Sequence, residues 1–389
     1  MAADTTIELH LPQDLLIGGG TSEDLAEHVG RVGIERPLVV SDRFLLEKGP
    51  AGPLVERLRD AGLSVEVFGD VQPDPTLANV NGALEALRAH EADGVVAIGG
   101  GSPMDTAKAA SVAHTNDGDV RDYAGYHKIP GPGLPLVAVP TTAGTGSEVT
   151  RVAVITDTER DVKMMMLDNH LMARIAVADY RLTISTPASL TSWVGVDSLT
   201  HAIEAYVSKK ATVLTDMLAL EAARLIGAHL RRAVSTPDDE QAREAMMLGA
   251  TLAGAAFSNA SVALVHGMSR PIGAHFHLAH GLSNALLLPA VTRFSVGGAP
   301  DRYATIAREM GLASADDSDE TACERLVEEL VALNRDLGIP LLSGADVDRD
   351  HFDRVVEDMA QAALDSGSPG FNPQPATKEE IVALYREAY

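Results

Sequence analysis

Four residues of this chain have the types and spacing of a divalent-metal site: Asp197, His201, His266 and His280. Asp197 and His201 lie in a segment without proline whose apolar residues repeat at helical spacing, so both side chains can point at one ion. One carboxylate with three imidazoles suits Fe(II), Zn or Co better than Ca or Mg. An Asp/His pair four residues apart is more often a solvated helix face, and the spacing alone leaves that alternative open.

A glycine turn behind a predicted strand is suited to binding phosphate. The run from Gly94 to Ile98 is short, apolar and β-branched, which predicts a buried parallel strand. We expect Ser102 to be the N-cap and Pro103 the first residue of the following helix. Between strand and helix lie Gly99, Gly100, Gly101 and Ser102. Backbone N–H groups in such a turn can approach a pyrophosphate closely, although a connection that binds nothing is about equally favoured for the turn alone.

Two further features are compatible with a dinucleotide. The loop from Pro140 to Thr150 is rich in glycine and threonine, and its hydroxyl groups could hold ribose, phosphate or a nicotinamide amide. Asp42 ends the predicted strand from Pro37 to Ser41, where a carboxylate could accept hydrogen bonds from an adenosine ribose. That carboxylate would repel a 2′-phosphate, which favours NAD over NADP. Taken by itself, Asp42 is more often a helix cap or a turn residue.

Together these motifs resemble the iron-containing (group III) alcohol dehydrogenases. The resemblance extends over nearly the whole chain, in the same order, and rests on Gly99 to Asp105, Pro140 to Thr150, the helix of Asp197, Val265 to Met268 and His280 to Asn284. It implies an α/β, Rossmann-like dinucleotide-binding domain followed by an all-α metal-binding domain. The same architecture is found in dehydroquinate synthase.

The resemblance also implies roles for individual residues. The metal ligands would be Asp197, His201, His266 and His280. The cofactor would contact Asp42, Gly99, Gly100, Gly101, Ser102, Asp105, Thr141, Thr142, Thr145 and Lys163. Phe257 matches an aromatic residue of the substrate pocket, whereas without the resemblance it would be assigned to the core.

The chain departs from the family pattern at Arg270, four residues after His266, where many members carry a histidine often proposed to assist proton transfer. On a continuing helix, Arg270 would share the face of His266, and a guanidinium beside a dication requires an anion between them. We expect that anion to be a carboxylate on the substrate, with pairing to Glu148 or Asp197 as an equally strong alternative. His277 is a candidate replacement for the missing proton carrier.

The chain changes character near Leu190, which predicts domains at residues 1–189 and 190–389. Before that point, apolar strands alternate with helices, which predicts a parallel sheet. The predicted strands are Leu15 to Ile17, Pro37 to Ser41, Leu63 to Phe68, Gly94 to Ile98, Leu134 to Val139 and Ile175 to Ala178. After that point the pattern predicts helical segments, which include Leu214 to Val234, Ala242 to Val265 and Glu320 to Gly338. We expect Pro271 and Gly273 to interrupt the chain before His280.

The bulk composition excludes several classes of function. A net charge of −24 opposes binding to nucleic acid and to anionic membranes. The uncharged stretch from Met246 to Val265 is best explained as a buried helix rich in small residues. Cys323 is the only cysteine, and Met1 to Leu9 lacks the features of a secretory signal, so we expect a cytoplasmic protein.

The predicted function is hydride transfer between a small alcohol or aldehyde and NAD(H), with a divalent metal polarising the oxygen. The metal would be Fe(II), or alternatively Zn, and NADP is disfavoured. An alcohol bearing an anionic group, such as a hydroxy acid, is one substrate option. Alternatives are a lyase resembling dehydroquinate synthase, a reductase of the maleylacetate reductase type, and a non-catalytic metal-binding subunit. Similarity suggests a homodimer or a larger homo-oligomer.

Overall fold

The computed structural model describes residues 6–160 and 162–389, and these form two compact units. The first unit is His10–Thr186, and the second is Pro187–Tyr389 together with the described residues before His10. The prediction about a signal sequence falls in part on residues 1–5, which lie outside the described ranges. The binding roles that the sequence analysis assigns to the two parts of the chain stay predictions.

The strands found within the described ranges are β1 (Asp14–Ile17), β2 (Pro37–Val40), β3 (Glu66–Phe68), β4 (Gly94–Gly99), β5 (Gly125–Tyr126), β6 (Leu136–Pro140), β7 (Val152–Asp157), β8 (Val162–Leu167) and β9 (Ile175–Ala178). The α-helices of the first unit are α1 (Leu25–Arg31), α2 (Arg43–Glu47), α3 (Ala51–Asp60), α4 (Leu77–His90) and α5 (Gly101–Thr115). Those of the second unit are α6 (Ala188–Val207), α7 (Val213–Ser235), α8 (Glu240–Ala260), α9 (Leu264–Phe276), α10 (His280–Ser295), α11 (Pro300–Glu309), α12 (Asp319–Asp336), α13 (Arg349–Asp365) and α14 (Lys378–Ala388).

The predicted parallel sheet is confirmed, and its strand order is β1-β9-β6-β4-β2-β3. Every residue of β2, β4, β6 and β9 is buried, as expected for strands covered on both faces. Alternate residues of one strand enter different cores: Leu38 and Val40 belong to one apolar cluster, and Val39 belongs to the other. Continuous apolar runs therefore specify these strands.

The structure also contains a small second sheet that was not predicted from the sequence. In it, β7 and β8 pair antiparallel, and β5 joins the edge of β8 in parallel. Burial alternates along β7, so that Ala153 and Ile155 are buried while Val152 and Val154 are partly exposed. A sheet covered on one face has this alternation. No strand was predicted here, although Val152 to Ile155 and Met164 to Leu167 are apolar runs.

The C-terminal part is helical, as predicted, and among the described residues no strand follows Ala178. One prediction there was wrong. Ala242 to Val265 is not one helical segment, because the chain turns by 101° between α8 and α9. Ser261 takes a positive φ of 69° at this turn. Among the described residues no single helix is long and apolar enough to span a membrane, and only this bent pair reaches that length jointly.

The predicted interruption at Pro271 and Gly273 was also wrong, since α9 continues through both residues to Phe276. Proline within a helix removes one main-chain hydrogen bond. Here Pro271 and its neighbours Ile272 and Gly273 are buried, so tertiary packing outweighs that cost. The chain instead leaves the helix at His277, which has a left-handed conformation with φ 55°.

Candidate active site

Helix α6 presents an acid and an imidazole one turn apart. Asp197 and His201 lie four residues apart on α6, and both are buried. The distance between Asp197 Oδ1 and His201 Nε2 is 3.9 Å. This buried pair differs from the solvated helix face that the spacing alone left open.

Two more imidazoles reach the same carboxylate from separate helices. His266, in the first turn of α9, places Nε2 3.5 Å from Asp197 Oδ1, and His280, the first residue of α10, places Nε2 3.9 Å from it. The next residue, Gly281, packs directly on α6, since a β-carbon there would lie 2.7 Å from the carbonyl oxygen of Trp193. A glycine at this position thus allows α10 to begin close to α6.

These four donor atoms fit a divalent transition metal. A tetrahedral site with metal–ligand bonds of about 2.1 Å has ligand–ligand edges of about 3.4 Å. The edges measured from Asp197 Oδ1 are 3.5, 3.9 and 3.9 Å. The ligand atoms of Asp197, His201 and His266 all lie within 4.8 Å of one another. Asp197, His201 and His266 therefore form the close group, and His280 reaches it through the 3.9 Å approach of its Nε2 to Asp197 Oδ1. The binding of a metal by these four residues stays a prediction.

The charges around the site favour cation binding. Burial tends to raise the pKa of Asp197, but the imidazoles of His201, His280 and His266 outweigh it and hold this pKa well below its usual range. Burial lowers the pKa of His266, yet Glu204 and Asp197 together raise it to about 9. Because a metal ligand must be deprotonated, a cation would displace the proton that these two carboxylates hold on His266.

Sequence reasoning missed two residues of the site. Glu204 Oε2 lies 2.6 Å from His266 Nδ1, and the side chain of Glu204 is 4% exposed. Asn284 donates through Nδ2 to Asp197 Oδ1 at 2.6 Å, and this nitrogen is also 3.1 Å from His280 Nε2. The available signals were helical spacing: Glu204 follows His201 by three residues, and Asn284 follows His280 by four.

The three residues expected to act on the substrate have different environments. Phe257 stacks on His201 with ring centroids 4.2 Å apart, so it contacts a predicted ligand directly. Arg270 is partly buried and lies one turn after His266 on α9. His277 is exposed at the end of α9. Their catalytic roles stay predictions.

The predicted phosphate turn lies between β4 and α5. Gly99 has φ 155°, and a β-carbon there would lie 2.5 Å from Pro103 Cγ. The helix begins at Gly101 with Gly100 as N-cap, so the prediction that Ser102 is the N-cap was wrong. Ser102 and Pro103 instead belong to the first turn of α5, where proline is tolerated because the N–H groups there have no partner within the helix.

The second predicted loop lies against this turn. Thr141 donates its N–H to the carbonyl of Gly99 at 3.0 Å. A β-carbon on Gly100 would lie 3.4 Å from Thr142 Oγ1, and one on Gly101 would lie 3.2 Å from Thr145 Cγ2. The two loops that were selected separately from the sequence therefore pack against each other within the first unit.

The remaining predicted cofactor residues have protein partners. Asp42 caps α2 by accepting the N–H of Leu45 at 2.9 Å. Lys163 forms a 2.9 Å ion pair with Asp74. Contact of these two residues with a cofactor stays a prediction.

Asp105, which the sequence analysis assigned to the cofactor, also has protein partners. It accepts hydrogen bonds from Ser147 Oγ and from the N–H of Val154, both at 2.9 Å. Burial raises the pKa of Asp105, and the nearby Lys108 opposes that rise. The partners of Asp105 suit a residue that holds the second loop in place, and its contact with a cofactor stays a prediction.

Comparison with known proteins assigns both parts of the chain to one family. Residues 12–180 match the model of the iron-containing alcohol dehydrogenases, and residues 191–389 match that of the C-terminal part of the Fe-containing alcohol dehydrogenase family. The NAD-dependent methanol dehydrogenase of Bacillus methanolicus is 37% identical over 97% of this chain and 98% of its own length. The lactaldehyde reductase of Escherichia coli (strain K12) is 40% identical over 96% of this chain and 97% of its own.

A solved structure agrees with these relatives. The crystal structure of 1,3-propanediol oxidoreductase covers 99% of this chain and 100% of its own, with 37% identity and a TM-score of 0.96. The resemblance predicted from the motifs is thereby confirmed over both units. The chain belongs to the iron-containing alcohol dehydrogenase family and is an oxidoreductase.

Proposed function

We propose that the protein is a metal-dependent, NAD(H)-linked alcohol dehydrogenase and aldehyde reductase that acts on small alcohols. The observation that carries this proposal is the convergence of three imidazole nitrogens on Asp197 Oδ1, at distances of 3.5 to 3.9 Å. The names of the relatives add support, since they refer to NAD, methanol, lactaldehyde and 1,3-propanediol.

The donor set determines the chemistry that we assign to the site. A divalent ion supplies Lewis-acid polarisation of an alcohol or carbonyl oxygen, while nicotinamide accepts or supplies the hydride. Asp197 contributes the negative charge, and the three neutral imidazoles leave the site with residual positive character. Phe257 covers one face of His201 and restricts the orientation of that ring. His277, exposed at the end of α9, is the proposed carrier of the proton to solvent.

We assign the cofactor to the glycine turn and the second loop. Gly99, Gly100, Gly101 and Ser102 would contact the pyrophosphate, and Thr141, Thr142, Thr145, Asp42 and Lys163 would contact the rest of the nucleotide. The support is the position of the turn, after a buried parallel strand and at the positive N-terminal end of α5. The carboxylate of Asp42 favours NAD over NADP.

The decisive experiment measures NADH formation by absorbance after reconstitution with Fe(II) or Zn(II) under anaerobic conditions. We expect net NADH production from propane-1,3-diol or ethanol, whereas a lyase that uses NAD transiently would accumulate none. The Asp197→Ala/His201→Ala double variant should lose metal and turnover. The matched control is His229→Ala, a partly buried histidine of α7 that bonds Leu225 O. Full metal content and activity in the double variant would refute the proposal.

A second experiment tests whether Arg270 recognises an anionic substrate, which its position one turn after His266 supports. The Arg270→Ala variant is assayed on a neutral alcohol and on the same alcohol carrying a terminal carboxylate. We expect kcat/KM to fall at least tenfold more on the carboxylate. Equal losses on both substrates would favour pairing of Arg270 with a protein carboxylate.

We further propose a cytoplasmic homo-oligomer. Val213, Leu214 and Met217 expose apolar side chains at the start of α7, which is a feature of subunit contacts. The single cysteine, Cys323, fits a reducing compartment. Light scattering should give a mass at least twice the 40.9 kDa of one chain, and a monomer at micromolar concentration would contradict the assignment.

A further inference from the structure

We propose that Glu204 is a positioning residue of the metal site, whose carboxylate orients His266 and holds the first turn of α9. The inference rests on the metal site of the proposed function and adds to it a residue outside the four donors. It is carried by three hydrogen bonds that reach from α6 to the beginning of α9.

Both oxygens of Glu204 are engaged by α9 and the residue before it. Oε2 lies 2.6 Å from His266 Nδ1 and accepts the N–H of Ala263 at 2.9 Å. Oε1 accepts the N–H of Val265 at 2.6 Å. A buried carboxylate is costly unless hydrogen bonds compensate it, and here both oxygens are paired with donors.

The carboxylate acts as a helix cap supplied by another helix. The N-cap of α9 is Ala263, whose methyl group cannot accept a hydrogen bond. The N–H groups of the first turn have no partner within a helix, and negative charge near that end is favourable. Glu204 meets both requirements. The backbone that carries His266 is thereby tied to α6, the helix that carries Asp197 and His201.

The same carboxylate selects the form of the imidazole. A hydrogen bond from Nδ1 to a carboxylate places the ring proton on Nδ1 and leaves the lone pair on Nε2. Nε2 is the atom that lies 3.5 Å from Asp197 Oδ1. In addition, the carboxylate of Glu204 lies behind His266 and adds a second negative charge near the donor atoms, which favours a buried dication there. Glu204 thus fixes the position, the orientation and the tautomer of His266.

The first test measures zinc affinity of the full-length protein by competition with a chelator, since Zn(II) is redox-silent. Gln has the shape of Glu but presents N–H groups on one end, so in Glu204→Gln at least one donor of α9 faces another donor. We expect about 10–100-fold weaker zinc binding for Glu204→Gln. The matched control is Ser318→Ala, which removes the cap of α12 that accepts the N–H of Thr321. If Glu204 were only a helix cap, zinc affinity would be unchanged in Glu204→Gln as well as in Ser318→Ala.

The second test needs no folded variant of Glu204. Nitrogen-15 and proton NMR of histidine-labelled, zinc-loaded wild-type protein should show the Nδ1 proton of His266 shifted far downfield and protected from exchange, as for an N–H donated to a buried carboxylate, and the signal is assigned by its loss in His266→Gln. Weakening of zinc binding by threefold or more in Glu204→Gln supports the inference, and a smaller change overturns it. If Glu204→Gln does not fold, this proton signal decides, and a rapidly exchanging Nδ1 proton at the shift of a solvent-exposed imidazole overturns the inference. Failure of the wild type to bind zinc would refute the proposed function instead.

Discussion

Replacement of Lys108 with methionine is expected to destabilise the first unit strongly. The ammonium group of Lys108 lies 2.7 to 3.0 Å from five oxygens, which belong to Ser147, Thr150 and Val152. Only 1% of Lys108 is exposed. This side chain therefore ties α5 to the end of the second predicted loop and to the first residue of β7.

The expected loss follows from these contacts. An ammonium group has three N–H donors and methionine has none, so three backbone carbonyls lose a donor. Each buried group left without a partner costs about 1–3 kcal/mol, and removal of one member of a buried charged pair costs about 3–5 kcal/mol in total. We adopt the second figure, because methionine also avoids the cost of burying a charge. For a unit of this size the melting temperature should fall by on the order of 10 °C.

The assay is urea unfolding followed by circular dichroism, with amide hydrogen exchange to show whether residues 147–150 lose protection. Lys128→Met, which removes an exposed lysine, is the matched control. In the Lys108→Met variant the buried Asp105 carboxyl no longer has the ammonium beside it, and its pKa rises further. Adding Asp105→Asn should therefore recover part of the loss, with a coupling of about 1–3 kcal/mol. Stability of Lys108→Met within about 0.5 kcal/mol of the control would refute the reasoning.

The Lys108→Met variant should also change how the free energy of unfolding depends on pH. Burial lowers the pKa of Lys108 from 10.5 to about 8, although Asp105 and Glu148 favour its charged form. Between these two values the unfolded chain binds more protons at Lys108 than the folded protein does, so this residue makes the free energy of unfolding rise with pH. Below pH 8 both states are protonated and its contribution is constant. Lys108→Met should show a smaller rise between pH 8 and 10, and identical slopes would contradict the assignment.

Three further perturbations have defined outcomes. Gly281→Ala places a β-carbon 2.7 Å from Trp193 O, so it should lower the free energy of unfolding by about 1–3 kcal/mol and weaken metal binding. Gly30→Ala is the control, because no described atom lies within 4 Å of a β-carbon there. Thermal melting should show this control to be neutral or stabilising. Asp179→Ala removes the acceptor of several hydrogen bonds, including a 2.7 Å bond from Ser22 Oγ in the turn after β1. Urea unfolding should show that the free energy of unfolding falls by about 2–4 kcal/mol, and a loss below about 1 kcal/mol would contradict this expectation. Chelation should lower the melting temperature of the metal-loaded wild type. If the metal had been at 1,000 times its Kd, the free energy of unfolding should fall by about 4 kcal/mol. An unchanged melting curve would argue against a tightly bound metal.

The parallel sheet could be predicted from the sequence because its strands are buried on both faces. Val95 to Ile98 and Val137 to Val139 are continuous apolar runs, and such runs need no partner to be recognised. The hairpin of β7 and β8 also contains apolar runs, from Val152 to Ile155 and from Met164 to Leu167, but its burial alternates along each strand. Its pairing depends on contacts with β5 and α5 that no local pattern records.

The candidate metal site likewise combines residues that the sequence identifies with contacts that only the tertiary structure creates. Residue type and helical spacing selected Asp197 and His201, because a helix places residues four apart on one face. The convergence of His266 and His280 on that carboxylate depends on the turn between α8 and α9 and on the close approach of α10 to α6 at Gly281. Glu204 looked like an ordinary acidic helix residue. Only the packing of α9 against α6 gives it three hydrogen-bond donors.

The physical reason lies in the range of each interaction. Backbone geometry repeats over a few residues, so periodicity, glycine turns and the residue types of a donor set can be read along the chain. The partner of a buried charge is chosen by packing between segments that are far apart in sequence, as the ammonium of Lys108 and the carboxylate of Glu204 show. Local patterns therefore determined the elements and the donor types, and the tertiary structure decided which polar groups are buried together.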